Sequence, residues 1–200
     1  DNALDELDKV SNKIKNFAIL APTLIRSDSK VGFGLTTNYG SYKKTSTTTS
    51  DFFEVDYIQG CGLLLDKNEL KNIGFFDENI FMFFDDIDLC KRIRNSEKKI
   101  YVSKKAQYIH LGAKAANDKY FNEIELSRNW HLMWSTFYFN KKHHGYFFAL
   151  KKTYKRLITS IIKFLFFSFI FNSVKSKIYL MRFSGLYNSI IGKKSWYRAK

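Results

Sequence analysis

No acidic residue follows Glu125. All 19 Asp and Glu lie at or before that position, while the stretch from Leu126 to Lys200 carries fifteen Lys and Arg. The first 125 residues are left with 18 Lys and Arg against 19 acids, close to neutral. A near-neutral segment holding every carboxylate can host acid/base chemistry, and a purely basic segment suits a polyanion such as phospholipid head groups or nucleic acid. Cysteine is nearly absent. Cys61 and Cys90 are the only two, with no Cys-x-x-Cys pair, which argues against a disulfide scaffold or a zinc module and fits a reducing, cytoplasmic setting. The chain opens on Asp1 without an initiator Met, a basic leader or an apolar signal stretch, so it reads as a piece of a longer protein. Nor is there a full-length apolar span. The run Leu157 to Phe171 is interrupted only by Lys163 and hydroxyls, yet as a helix it rises only about 22 Å, short of a hydrocarbon core of roughly 30 Å.

What is present is enough apolar residue, 45% of 200, to bury one core. Leu4, Leu7, Val10 and Ile14 recur with a helical period and predict a surface helix over residues 2–16. Phe17 to Ala21 predicts a buried strand stopped by Pro22. The polar stretch 26–50 reads as a long loop. Val55 to Leu65 predicts a strand interrupted by Gly60 and Gly62, glycines that in a strand often mark close backbone approach to a ligand. Asp66 can N-cap a helix ending at Gly74. The acids of Asp85 to Asn95 fall in the first turn of a predicted helix, where the dipole favours them. Short strands at 100–102 and 108–111, then a helix over 117–140, complete an alternating α/β pattern. Lys151, Lys152, Lys155 and Arg156 before the apolar run, and Lys175 and Lys177 after it, suit a helix lying in a membrane interface.

Gly74-Phe75-Phe76-Asp77-Glu78, then Phe83-Phe84-Asp85-Asp86-Ile87-Asp88-Leu89 and Arg92, then His110 on a later strand, form an ordered constellation. It resembles the second half of glycosyltransferase family 2, in its rhamnosyltransferase-like branch, where a Gly-Gly-Phe-Asp-Glu turn precedes an acidic pair, a further Asp-Leu and an Arg. Aspartate stands at Asp85 where the family usually has glutamate. The resemblance spans Phe17 to Tyr138 and takes in Ile19-Leu20-Ala21-Pro22 and Gly60-Cys61, a pair lying near the acceptor pocket in the family. It implies an α/β fold of GT-A type: a mostly parallel sheet flanked by helices, with residues 1–140 forming its acceptor side and 141–200 a basic, apolar helical tail. It also implies that the nucleotide-binding half, with its Asp-x-Asp metal and diphosphate motif, lies outside this chain, and that the chain alone is inactive.

The same resemblance implies inverting transfer of a hexose, rhamnose among the candidates, from a nucleotide sugar to a lipid-linked or polysaccharide acceptor in cell-surface glycan synthesis. A sugar hydroxyl needs a base as it attacks the anomeric carbon. Asp86 is that base by position, with Asp85 holding it or the acceptor. Gly60, Cys61, Asp88 and Arg128 are the candidate acceptor contacts. Asp88 can equally pair with Arg92 at i+4. His110 matches a family histidine near the metal, since imidazole binds divalent ions; it can also be a core histidine. Mn²⁺ or Mg²⁺ is expected mainly through the absent half. Glu125-Leu126-Ser127-Arg128-Asn129-Trp130 is similar to the Gln-x-x-Arg-Trp signature of processive members but departs from it at Gln and by one inserted residue, which favours few additions over polymerisation. Trp130, Trp134 and Tyr138 recur every four residues, as a core stripe does, with sugar stacking the other reading. The implied location is the cytoplasmic face of the membrane, on an anionic surface. The competing reading is a non-catalytic module that binds membrane or nucleic acid through the basic tail.

Overall fold

The computed structural model describes residues 3–14, 16–26, 31–32, 51–110 and 118–198. The chain divides into two compact units, Asp1–Asp77 with Asp85–Ala115, and Glu78–Phe84 with Ala116–Lys200. The boundary near Ala116 differs from the one expected near Asn140. The long helix that contains Asn140 packs with the tail, Met133 and Phe137 lying against Ala149 and Leu186.

The first unit is an α/β layer structure. Helix α1 (Ala3–Ser11) precedes strand β1 (Phe17–Arg26), followed by β2 (Val31–Gly32), β3 (Phe52–Glu54), β4 (Leu64–Leu65), α2 (Lys67–Leu70), α3 (Asp85–Asn95) and β5 (Lys99–His110). The sheet runs β2-β1-β5-β3, with β4 pairing on β1. Among the described strands only β1 and β5 pair in parallel; β1–β2, β1–β4 and β3–β5 are antiparallel. The sheet is therefore mixed rather than mostly parallel, because short segments pair back onto the one long parallel couple. One face buries Ile19, Ala21, Ile100 and Val102 under Leu70 of α2 and Leu89, Cys90 and Ile93 of α3. Leu7 and Val10 of α1, with Ile14, cover Phe17, Leu20 and Ala106.

Two strands run further than the residue pattern implies. Pro22 does not stop β1; it sits where the register with β5 shifts, Pro22 opposite Ser103 and Thr23 opposite Gln107. A proline lacks the N–H a ladder needs, and an irregularity of this kind is where a strand tolerates it. The same irregularity absorbs Lys104 to Ala106 and turns the two expected strands into one. It is tied down by the Thr23 hydroxyl, which donates to the Ser103 carbonyl at 2.7 Å, and by the Ala106 N–H, which donates to Ser103 Oγ at 3.1 Å. Conversely, residues 55–63 are not a strand. They must carry the chain from β3, beside β5, to β4, beside β1, across two strands that stand about 4.8 Å apart. The predicted loop over 26–50 falls mostly outside the described residues.

The second unit is helical: a 3₁₀ turn at Asp118–Tyr120, then α4 (Phe121–His144), α5 (Tyr146–Phe169) and α6 (Ser173–Ile190). Met133 and Phe137 of α4 pack on Ala149 of α5 and Leu186 of α6. Gly145 (φ 89°) separates α4 from α5, a backbone angle that glycine adopts without strain. Asn172 caps α6 by accepting from the Lys175 N–H at 3.1 Å. Closest approach is at Gly185, where a Cβ would lie 2.2 Å from the Trp130 carbonyl oxygen. Trp130 and Trp134 are buried, as a core stripe requires, and their indoles donate to Ser184 Oγ and the Lys193 carbonyl. No helix among the described residues is long and apolar enough to cross a membrane. The reason differs from the expected shortness. Helix α5 has 24 residues and rises about 36 Å, but Lys151, Lys152, Lys155, Arg156 and Lys163 break its apolar character.

Candidate active site

Helix α3 begins at Asp85, and the chain reaches it through an unusual backbone. Phe83 and Phe84 have φ values of 65° and 67°, the left-handed region that bulky residues avoid at a cost of about 1–3 kcal/mol each. Within the second unit, the Phe84 ring is held against Phe139 at 5.2 Å and the Met82 carbonyl accepts from Ser135 Oγ at 2.8 Å. Such contacts are what a strained pair needs to persist.

Asp86 is half-buried and its two carboxylate oxygens are committed differently. Oδ1 accepts from the Ile87 N–H at 2.8 Å, inside the first turn of α3. Oδ2 accepts from the Gly60 N–H at 3.1 Å. A Cβ on Gly60 would come to 3.4 Å from the Asp86 Cβ, an ordinary contact distance, so what Gly60 contributes here is its backbone N–H. Desolvation, and then the neighbouring Asp85 charge, raise the Asp86 pKa above the ordinary carboxyl value; the N–H donors from Gly60 and Ile87 oppose the rise without cancelling it. The carboxylate is thereby a stronger base than a solvated aspartate.

Asp88 has a separate task. Its side chain is fully buried and pairs with Arg92 Nε at 2.8 Å. The same guanidinium donates from Nη1 to the carbonyls of Ile73 (2.8 Å) and Gly74 (2.9 Å), and from Nη2 to that of Phe75. The Asp-Leu and Arg pieces of the constellation thus fasten the Gly-Phe-Phe turn to α3, through a fork that only arginine offers. Of the two roles open to Asp88, the i+4 pairing is the one its geometry displays.

Cys61 follows Gly60 and is exposed. Its thiol meets the Tyr108 hydroxyl, and the ring of Tyr108 together with Pro22 closes on Gly62, whose hypothetical Cβ would lie 3.6 Å and 3.7 Å from them. Burial, and then the thiol contact, push the Tyr108 hydroxyl well above the usual phenol range. Nothing in the sequence marks Tyr108, because a tyrosine on a strand carries no local signal of what it faces. Gly60, Cys61, Asp85, Asp86 and Tyr108 all belong to the first unit. Arg128 belongs to α4 in the second, where it pairs with Glu125 at 3.1 Å. His110 closes β5, in register with Arg26, and the metal role expected of it falls on a side chain outside those described. Among the described residues, no three His, Cys, Asp or Glu side chains are placed to share a metal ion. No protein-family model, curated protein or solved structure matches the chain.

Proposed function

We propose that the chain is the acceptor-side part of a GT-A glycosyltransferase in which Asp86 deprotonates the attacking sugar hydroxyl. The supporting observation is the half-buried Asp86 carboxylate, raised in pKa and anchored to the Gly60 N–H, at the head of a helix that follows the Gly-Phe-Phe-Asp-Glu turn. In the proposed step the hydroxyl proton passes to Asp86 as the acceptor oxygen bonds to the anomeric carbon. The bond from that carbon to the nucleoside diphosphate breaks on the opposite side, which inverts the centre. Asp85 contributes by raising the proton affinity of its neighbour. Arg92 and Asp88 hold the turn, and Cys61 with Tyr108 form a polar wall beside Gly60.

The test is transfer from a panel of labelled nucleotide sugars to a membrane extract, run with the full gene product containing this chain, with Asp86 intact or replaced. Asp86→Asn should lower kcat by about 10²–10⁴, the contribution typical of a general base, with the circular-dichroism spectrum unchanged. Full activity in that variant would move the base elsewhere.

A further inference from the structure

The second unit contains a cavity of about 390 Å³ lined by Leu132 and Met133 of α4, by Lys155, Arg156, Thr159, Ser160 and Lys163 of α5, and by Tyr179 and Arg182 of α6. Four of these residues are cations and none is an acid. The volume lies in the range of small-ligand sites. Two of the cations are pre-oriented. Arg182 Nε donates to Asn129 Oδ1 at 2.7 Å, and Lys163 Nζ donates to the Tyr179 hydroxyl at 3.2 Å. Neither contact neutralises a charge, and among the described residues no ion pair involves any of the four. Like charges gathered without a counter-charge repel one another, and an anion between them removes that cost. Arginine forks beside lysine point charges are the side chains that hold phosphate oxygens.

A second observation narrows the anion. Lys155, Thr159 and Lys163 form one i, i+4 row on α5, and Ile158, Ile162 and Phe166 form the adjacent row. That apolar row is open to solvent: Ile158 is 50% exposed, Ile162 60% and Phe166 55%. Leu165 and Phe169 extend it, and Phe171 beyond the end of α5 is 94% exposed. An uncovered apolar stripe of this length marks a binding surface. A second copy docked through the same face is a poor occupant, since α5 and α6 contain no acid and would set one cationic surface against another.

We infer that this pocket binds the phosphate group of an anionic membrane lipid, whose acyl region meets the exposed stripe of α5. The site lies wholly within the second unit and is independent of the acidic cluster: it would hold phosphate with or without transfer chemistry.

The 200-residue chain is to be assayed by co-sedimentation with phosphatidylcholine vesicles, with and without phosphatidylglycerol, and by thermal unfolding in inorganic diphosphate against sodium chloride of equal ionic strength. Three double variants separate the contributions. Lys155→Gln/Arg156→Gln alters the pocket at two exposed positions, Lys193→Gln/Lys194→Gln makes the same charge change outside it, and Ile162→Ser/Phe166→Ser alters the stripe. The inference expects binding only to the phosphatidylglycerol vesicles, weakened at least about tenfold more by the pocket pair than by the control pair. It also expects diphosphate to raise Tm in the native chain and the stripe variant but not in the pocket variant, with vesicle binding lost in the stripe variant. Equal weakening by the pocket and control pairs would reduce the effect to diffuse charge and overturn the site. Stabilisation by diphosphate without vesicle binding would overturn the lipid, as would tighter binding to a single-stranded oligonucleotide than to the vesicles.

Discussion

Asp86 and His131 are both half-removed or fully removed from water, and burial moves them in opposite directions. Desolvation and Asp85 raise the Asp86 pKa above its ordinary 3.8. The native state then binds a proton that the unfolded chain has already released. The contribution of Asp86 to stability is therefore greatest below the ordinary carboxyl value and falls as pH rises through its native pKa. His131 is fully buried between Tyr197, whose carbonyl lies 2.8 Å from Nε2, and Ser195, whose hydroxyl lies 3.1 Å from Nδ1. Desolvation, and then Arg198, lower its pKa below 6.5, against the pull of the Tyr197 carbonyl. Here the unfolded chain binds the extra proton, so the contribution of His131 to stability is complete above the ordinary histidine value and is lost as pH falls below it through the native pKa. Hydrogen exchange corrected for intrinsic pH dependence can follow each unit separately. In Asp86→Asn the downward trend of first-unit protection above pH 4 should flatten, and in His131→Gln the loss of second-unit protection below pH 6.5 should disappear. Unchanged pH profiles in the variants would assign the linkage to other groups. Cys90, by contrast, is pushed up to about 12 by burial and is a packing residue at any ordinary pH.

Helix α3 is packed on the sheet by Leu89, Cys90 and Ile93, and its tie to the Gly74 turn runs through one buried ion pair. Arg92→Ala leaves the fully buried Asp88 carboxylate without its Nε partner and frees the carbonyls of Ile73, Gly74 and Phe75. Breaking a buried pair in this way costs about 3–5 kcal/mol, far more than the few tenths expected of an exposed i,i+4 pair. Urea unfolding should show that loss, and Arg92→Lys should recover only part of it, because an ammonium cannot reach all four acceptors. The α3 helix was legible in the residues: its acids, its period and its Asn95 end agree with the structure. So was the Asp66 cap, whose carboxylate accepts from the Asn68 and Glu69 N–H groups. The sheet was less legible. Whether Pro22 ends a strand, or whether 100–102 and 108–111 are one strand or two, depends on the partner strand and on Ser103, which no local pattern reports. Gly60 could be read as a glycine offering its backbone to a ligand, yet what its N–H meets is the Asp86 carboxylate, 26 positions along the chain. Gly185 was silent in the sequence, since a glycine inside a helix ordinarily costs about 1 kcal/mol relative to alanine. Its reason is the Trp130 carbonyl. Gly185→Ala gains that propensity but places a Cβ 2.2 Å from a backbone oxygen, so α4 and α6 must separate, and the overpacking cost of typically 1–3 kcal/mol prevails. A net loss of protection in α4 and α6 amides would show it; a gain would mean the helices part freely.

The charge division seen along the chain becomes sharper when assigned to the two folded units. The unit formed by Glu78–Phe84 and Ala116–Lys200 holds sixteen Lys and Arg against four acids, and the other unit is nearly balanced, with seventeen against fifteen. Of the four acids, Glu125 is committed to Arg128. The second unit therefore folds against its own field, and that repulsion is a long-range term that mobile ions screen. The Debye length shrinks from about 30 Å at 0.01 M salt to about 3 Å at 1 M, a change that spans the separations between lysines along α5 and α6 but not the contacts within a buried pair. Sodium chloride should accordingly raise the protection of α5 and α6 amides steadily over that range. First-unit amides near α3 should respond little, because their principal ion pair is buried and already compensated. Diphosphate at low ionic strength should act differently, stabilising α5 and α6 at concentrations too low to screen, because it occupies the four-cation pocket rather than thinning the field around it. Salt and diphosphate curves that superimpose when plotted against ionic strength would mean the second unit responds to screening alone. Curves that separate, with the separation erased by Lys155→Gln/Arg156→Gln, would mean that its excess charge is organised into a site.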